Sequence, residues 1–126
     1  LGEVMKIPGF LLRRLYVKNS LTIIENGFEF QLRNQLGSGY AHRVLPMKLD
    51  DQEIDLTSTS FEVDGKEIKF SQVTRDNPFT LAMNKSTTVR VKGILIDSSL
   101  HNIEMSFEVA GLGVLSFDFS EFPRVI

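Results

Sequence analysis

The chain has 126 residues, a formal net charge of −2, and neither cysteine nor tryptophan. Its length suits one compact domain, and its 42% hydrophobic and 24% charged residues are typical of a folded globular protein. The absence of cysteine excludes disulfide frameworks, thiolate metal sites and cysteine nucleophiles. We therefore expect a single domain over residues 1–126, with residues 1–10 as an N-terminal extension.

The sequence has no obvious export signal or membrane-spanning segment. Charged residues interrupt each apolar run near the start, and the uncharged run at 109–117 is too short to cross a bilayer. We predict a cytoplasmic protein that does not contact membranes.

The composition favours strands over helices. Valine, isoleucine and threonine together number 26, against three alanines. Branched side chains lose rotamer freedom in helices but pack well on pleated sheets. We therefore predict an all-β fold, with the ten phenylalanines filling its core.

The first part of the chain allows two interpretations. We favour a strand over residues 12–18, but one helical turn after Pro8 would also place Leu11 and Leu15 on one face. From residue 27 the pattern is clear, because apolar and polar residues alternate through 27–33. This alternation predicts a half-buried strand with its phenylalanines inward.

The middle of the chain contains the strongest local pattern. Asp64-Gly65, a dipeptide favoured in tight hairpin turns, lies between the extended runs 61–63 and 67–70. Before this hairpin, Pro46 indicates an edge strand, or a bulge, within the extended run 40–49. A short strand is expected at 53–56.

The second half predicts four more strands, at 79–83, 87–92, 102–109 and 114–119, with residues 110–113 as the turn of the last hairpin. The total is eight to ten short strands with turns every 8–12 residues. This spacing predicts an antiparallel β-sandwich.

The two histidines offer little for catalysis or metal binding. His101 and Glu104 lie three residues apart, so a regular strand places them on opposite faces. We expect a structural hydrogen bond from His101 at the start of its strand. We predict no catalytic residue, no metal and no cofactor.

A ligand contact is better placed beside the glycine-rich loop at 34–39. Arg33 precedes this loop, and Tyr40, His42 and Arg43 follow it. These four residues are our candidate ligand-binding set, for a sugar or an anion.

The charge is divided between the two parts of the chain. Residues 1–49 hold seven bases and three acids, whereas residues 50–126 hold seven bases and thirteen acids. Bases interleaved with apolar residues indicate solvated strand faces, so we predict no nucleic-acid binding. The division suits a protein partner or a second copy of the chain.

Several short motifs carry a family resemblance. They are the segments 18–21, 27–30 with Arg33, and 61–66, followed by Lys92-Gly93 and 100–104. On these motifs the chain resembles the small β subunit of bacterial C-glycoside deglycosidases and its archaeal and bacterial relatives.

The resemblance implies a β-sandwich that packs against a TIM-barrel α subunit, in which a divalent metal and most of the chemistry reside. It implies a non-catalytic accessory or assembly subunit, which packs against such a partner or against itself. No catalytic residue carries over, and the arginine- and tyrosine-rich ending of those β subunits is absent, since 115–119 reads LSFDF.

Two alternatives remain. One is a sandwich that binds a small sugar or anion. The other is an enzyme, because similar short chains carry the label hydroxymethylglutaryl-CoA reductase. We expect that label to be wrong, since such reductases are several times longer and use a catalytic Glu, Lys, Asp and His set that we do not find.

Overall fold

The structure is a computed structural model that describes residues 7–125. Within this range a four-residue helix, α1 (Gly9–Leu12), leads into a 3₁₀ turn (Arg13–Leu15), and two further 3₁₀ turns follow at Leu56–Ser58 and Phe70–Gln72. The strands of the described range are β1 (Thr22–Ile24), β2 (Gly27–Arg33), β3 (Gly39–Val44), β4 (Lys48–Leu49), β5 (Gln52–Glu53), β6 (Thr59–Val63), β7 (Lys66–Lys69), β8 (Phe79–Leu81), β9 (Ser86–Lys92), β10 (His101–Val109), β11 (Gly113–Glu121) and β12 (Arg124–Val125).

The strands form two six-stranded sheets. The first has the order β12-β1-β2-β9-β6-β7, and the second has the order β5-β4-β10-β3-β8, with β11 also paired to β10. All of these pairs are antiparallel except β1 with β12. The chain crosses from the second sheet to the first between β11 and β12.

One apolar core lies between the sheets. Alternate residues of β10 are buried along its whole length, as a strand with one face on a core requires. The rings of Phe61 and Phe79, one from each sheet, stack with centroids 4.1 Å apart. Phe30 and Phe119 meet edge to face at 5.1 Å. Each such phenylalanine contributes roughly 1.5–3 kcal/mol by burial. The predicted all-β sandwich is therefore confirmed, with more strands than expected.

The clearest sequence patterns correspond to observed strands. β2 spans the predicted residues, and Phe28 and Phe30 are fully buried. The hairpin of β6 and β7 turns at Asp64 and Gly65, whose φ angles are 52° and 80°. Two consecutive positive φ angles match the right-handed twist of the flanking strands, and glycine adopts such an angle without strain.

The predicted strand at 12–18 is wrong for its first part, because the chain is helical up to Leu15, as in the alternative of a helical turn after Pro8; Tyr16 is extended and forms an antiparallel bridge with Leu32. α1 begins directly after Pro8, whose extended backbone forms its N-terminal boundary. Leu12 and Leu15, three residues apart, are both buried by this turn. Burial of that pair on the core favours the helical turn up to Leu15. The next two residues, Tyr16 and Val17, are extended or irregular and contact the backbone of β2. Most of the predicted N-terminal extension, residues 1–6, lies outside the described range.

Three details of the sequence prediction also need correction. Pro46 lies in the connection between β3 and β4, and both of these strands have neighbours on two sides, so neither is an edge strand. The strand expected at 53–56 is replaced by the two-residue β5 and a 3₁₀ turn. Strands β1 and β12 were not predicted.

No helix in residues 7–125 has the length and apolar character needed to cross a bilayer.

Candidate anion-binding cleft

A cleft of about 880 Å³ opens between α1, the loop after β2 and the end of β11. We call it the α1 cleft. Its lining residues are Phe10, Arg13, Arg14, Tyr16, Lys18, Gln35, Leu36 and the four residues 118–121.

The helical turn after Pro8 positions the basic side of the cleft. Because Leu12 and Leu15 are fixed in the core, the intervening Arg13 and Arg14 are held at the surface. Arg13 donates from Nε to the backbone oxygen of Asp118 at 2.6 Å and pairs with its carboxylate at 3.2 Å. These contacts attach the turn to β11.

An aromatic pair forms the floor of the cleft. The rings of Tyr16 and Phe119 stack with centroids 3.6 Å apart and planes 8° from parallel. The Tyr16 hydroxyl donates to Glu121 Oε1 at 2.9 Å and accepts from the backbone N–H of Leu21 at 3.2 Å. Burial, reinforced by Glu121, raises the pKa of Tyr16 to about 12. This hydroxyl therefore stays neutral at physiological pH.

The two acids of the cleft already have hydrogen-bond partners. Asp118 accepts from Asn102 Nδ2 at 3.0 Å as well as from Arg13, and these contacts lower its pKa. Glu121 also accepts from the backbone N–H of Asn19 at 2.6 Å. Each carboxylate is thus oriented by the protein and partly neutralised by its donors.

Two bases of the cleft lack such partners. Arg14 and Lys18 are exposed, and neither forms an ion pair or a side-chain hydrogen bond with any residue of 7–125. Their charges are therefore available to a ligand. A concave site with two unpaired cations is suited to binding phosphate or carboxylate groups.

Apolar side chains stand at the margin of the same cleft. Phe10 is 67% exposed and Leu36 is 40% exposed, although both are large and hydrophobic. Since each also lines the cleft, the site offers apolar contact area beside its charges.

The ligand-binding residues predicted from the sequence lie elsewhere. Tyr40, His42 and Arg43 are in β3, where the register shifts opposite Glu108 and Val109. His42 Nε2 lies 2.9 Å from Glu108 Oε1 and is engaged in that contact. Arg33 ends β2 in the other sheet. None of the four lines the α1 cleft.

A strand over residues 12–18, as favoured from the sequence, does not predict this cleft. In a strand, Arg13 and Arg14 would point to opposite faces. The pattern that indicates their role is the basic pair flanked by Leu12 and Leu15, following Pro8 in a helical turn.

His101 occupies a separate structural site. The ring is buried at the start of β10, with Nδ1 at 2.7 Å from Asp50 and Nε2 at 2.9 Å from Asp97. Burial alone would lower the pKa of His101, but the hydrogen bonds with these carboxylates raise it overall. Glu104 is at one of the half-buried positions that alternate with buried ones along β10, and its Oε2 lies 3.9 Å from Lys48 Nζ. Within residues 7–125 no cluster of His, Asp and Glu is arranged to hold a metal ion.

Comparison with models of protein families identifies a relationship. A model of the hydroxymethylglutaryl-CoA reductase N-terminal domain matches residues 11–122. Among curated proteins, none matches this chain significantly. The family match includes strands β1 to β11 and every lining residue of the α1 cleft except Phe10, which lies in the first half of α1 outside the match.

The match corrects the resemblance proposed from the sequence. The chain is not assigned to the C-glycoside deglycosidase β subunits, and the accessory-subunit function inferred from them is wrong. The motifs misled because they describe a β-sandwich: 27–30 is the start of a core strand, and 61–66 is a hairpin with its turn. Such features recur in unrelated sandwiches.

The reductase alternative, which we had rejected, agrees better with the match. Our objection concerned the length and catalytic set of a complete reductase, whereas the matched model is that of an N-terminal domain. The chain belongs to the hydroxymethylglutaryl-CoA reductase N-terminal domain family.

Proposed function

We propose that this chain serves a hydroxymethylglutaryl-CoA reductase as a domain that binds the acyl-CoA, and that the α1 cleft is the binding site. The observation that carries the proposal is that Arg14 and Lys18, in a cleft of about 880 Å³, have no ion-pair partner among residues 7–125. Coenzyme A carries several phosphate charges, and guanidinium and ammonium groups bind phosphate by charge-assisted hydrogen bonds. The volume is within the usual range for small-molecule sites, roughly 300–1,000 Å³.

The chemistry of the cleft supports binding and assigns no catalytic step to it. Tyr16 has its pKa raised to about 12 and is held by Glu121 and Leu21, so it is fixed as a neutral hydrogen-bonding group. Asp118 is engaged by Arg13 and Asn102. The groups left for a ligand are therefore the two cations, the amide of Gln35 and apolar side chains.

Calorimetric titration of the purified chain with hydroxymethylglutaryl-CoA tests the proposal. We expect saturable binding at low salt, and the double variant R14E/K18E should weaken it at least about tenfold, because charge-assisted hydrogen bonds contribute roughly 1.5–3 kcal/mol each. Raising the salt concentration should also weaken binding, since the Debye length falls from about 10 Å at 0.1 M to about 3 Å at 1 M.

Two arginines of the ligand-binding set predicted from the sequence provide a charge-matched control. R33E/R43E makes the same change in net charge at two exposed arginines that do not line the α1 cleft. Binding should be largely preserved in this variant. Equal losses in both double variants, or no binding by the unmodified chain, would contradict the proposal.

The β3 surface is a second candidate because its irregular register brings His42 and Arg43 opposite the same residue, Glu108. Together with the exposed ring of Tyr40, this surface remains our second proposed ligand site. It predicts the reverse result, in which R33E/R43E loses binding and R14E/K18E keeps it.

We also propose a cytoplasmic location and association with a protein partner or a second copy. The division of charge between residues 1–49 and 50–126 supports such an association. Sedimentation of the purified chain at increasing concentration measures self-association directly.

A further inference from the structure

The α1 cleft presents an aromatic ring and a cation from the same short segment. Phe10 and Arg14 are four residues apart in the turn formed by α1 and the 3₁₀ residues that follow, and both line the cleft. Leu12 and Leu15 occupy the opposite, buried side of this turn. The turn thus contributes an exposed phenyl ring and an exposed guanidinium to the same cleft.

The exposure of this ring needs an explanation. Phe10 is 67% exposed, while Phe28, Phe30 and Phe70 are almost wholly buried. Leu36, which lines the cleft from the loop after β2, is also exposed. An exposed aromatic ring and an aliphatic side chain in a cationic cleft provide surfaces for a planar ring that carries phosphate.

We infer that the α1 cleft holds an adenosine phosphate group, with its base against Phe10 and its phosphates at Arg14 and Lys18. This inference rests on the proposed function and specifies which end of the acyl-CoA is bound. The hydroxymethylglutaryl group offers a single carboxylate and no ring, and pantetheine offers neither ring nor charge. The adenosine end alone combines the two features that the cleft recognises.

Adenosine phosphate also occurs in the nicotinamide dinucleotides, which supply hydride to reductases. The donor set of the cleft fits either source, because Arg14, Lys18 and Phe10 contact only the shared group. Titrations with hydroxymethylglutaryl-CoA and with NADPH therefore distinguish the two sources.

The first test compares ADP with pyrophosphate, which has the charge but no ring. ADP should bind roughly 5- to 150-fold more tightly, because a base stacks favourably on an aromatic side chain. F10A should remove most of this difference and leave pyrophosphate binding unchanged. R14E/K18E should weaken both ligands.

The matched control for F10A is F122A. Phe122 is 65% exposed, nearly the same as Phe10, but it does not line the cleft. Thermal unfolding of both variants should occur near that of the unmodified chain, and only F10A should reduce ADP affinity.

The second test is competition. ADP should displace hydroxymethylglutaryl-CoA, whereas pantetheine and 3-hydroxy-3-methylglutarate should not. The inference is overturned if ADP and pyrophosphate bind equally and F10A changes neither, even when the acyl-CoA itself binds. If NADPH and ADP bind but the acyl-CoA does not, the inference is supported and the proposed function fails.

Discussion

His101 is held between two carboxylates that approach its two ring nitrogens from opposite sides. Asp50 lies at Nδ1 and Asp97 at Nε2, at 2.7 and 2.9 Å. Both carboxylates are acceptors, so both nitrogens donate only when the ring is protonated. The pair therefore favours the imidazolium form. The pKa of Asp50 is lowered chiefly by the backbone N–H of Asn102 and that of Asp97 chiefly by hydrogen bonds from Ser99, and His101 lowers both further.

This cluster predicts a window of pH in which it stabilises the fold. The pKa of His101 is raised above its ordinary 6.5, so its contribution is complete below that value and is lost as pH rises through the folded pKa. The carboxylates contribute above their ordinary pKa of 3.8 and lose their effect as pH falls through the lowered values. The cluster is therefore most stabilising between about pH 4 and 6.5.

Urea unfolding in an H42N background, where His101 is the single histidine, measures this effect. The loss of unfolding free energy caused by H101N should be larger at about pH 5.5 than at about pH 8.5. An equal loss of unfolding free energy at the two pH values would show that the pKa of His101 is not raised in the folded protein.

Individual residues could be predicted only where local sequence determines their contacts. A structural hydrogen bond from His101 was expected because the residue stands at the start of a strand, and Asp97 lies in the preceding turn. Asp50, its other partner, is 51 positions earlier and arrives through the pairing of β4 with β10. The cleft residues Arg14 and Lys18 were missed for a related reason, since their positions depend on how α1 packs against β11.

Gly27 allows two strands of the first sheet to approach closely. It pairs with Lys92 at the start of β2, and a Cβ atom built there would lie 1.9 Å from the backbone oxygen of Val91. Backbone cannot move aside as a flexible side chain can. Any larger residue at this position must therefore displace β2 from β9.

We expect G27A to destabilise the protein by about 3 kcal/mol, because it overpacks a fixed backbone contact. The matched control is G39A, where the added Cβ would lie 3.5 Å from the side chain of Val109, an ordinary contact. G39A should change stability by less than about 1 kcal/mol. Chemical denaturation of both variants measures the difference, and similar costs would contradict the role given to Gly27.

Elements with strong local patterns were predictable, and those formed by distant pairing were not. β2 and the β6–β7 hairpin have alternation and turn residues that identify them without tertiary information. β1 and β12 have only three and two residues, and β12 exists because the chain end pairs in parallel with β1. α1 lacks a side-chain cap and is stabilised chiefly by packing, so the sequence indicated it only as the alternative to a strand.

At the scale of the whole molecule, the two sheets share one core, and the chain passes from the second sheet to the first between β11 and β12. Aromatic contacts connect the sheets, and the segment from β11 to β12 belongs to both. Neither sheet can lose its partner without exposing a continuous apolar face. The sandwich should therefore unfold as one cooperative unit.

Far-ultraviolet circular dichroism and tyrosine fluorescence, followed through one urea titration, test this cooperativity. Both signals should show a single transition with the same midpoint. Separate midpoints would indicate that the sheets unfold independently, which would contradict the single domain proposed for this chain.

The fold class could be predicted from local sequence patterns, whereas the family could not. Strand patterns identified the all-β class correctly, because alternation reports burial on one face. The same patterns could not identify the family, since segments such as 27–30 and 61–66 are required by the sandwich itself. The family became clear from similarity spread over residues 11–122.

The contact between Arg13 and the backbone oxygen of Asp118 has a consequence for association between molecules. β11 is an edge strand, and Arg13 occupies one of the backbone acceptors that a strand from another molecule would need. The helical turn that carries the proposed ligand site thus also obstructs edge-to-edge aggregation. Substitutions that detach the turn carrying Arg13 from β11 should reduce both the solubility of the protein and its affinity for the ligand. Selection on either property therefore constrains the same residues.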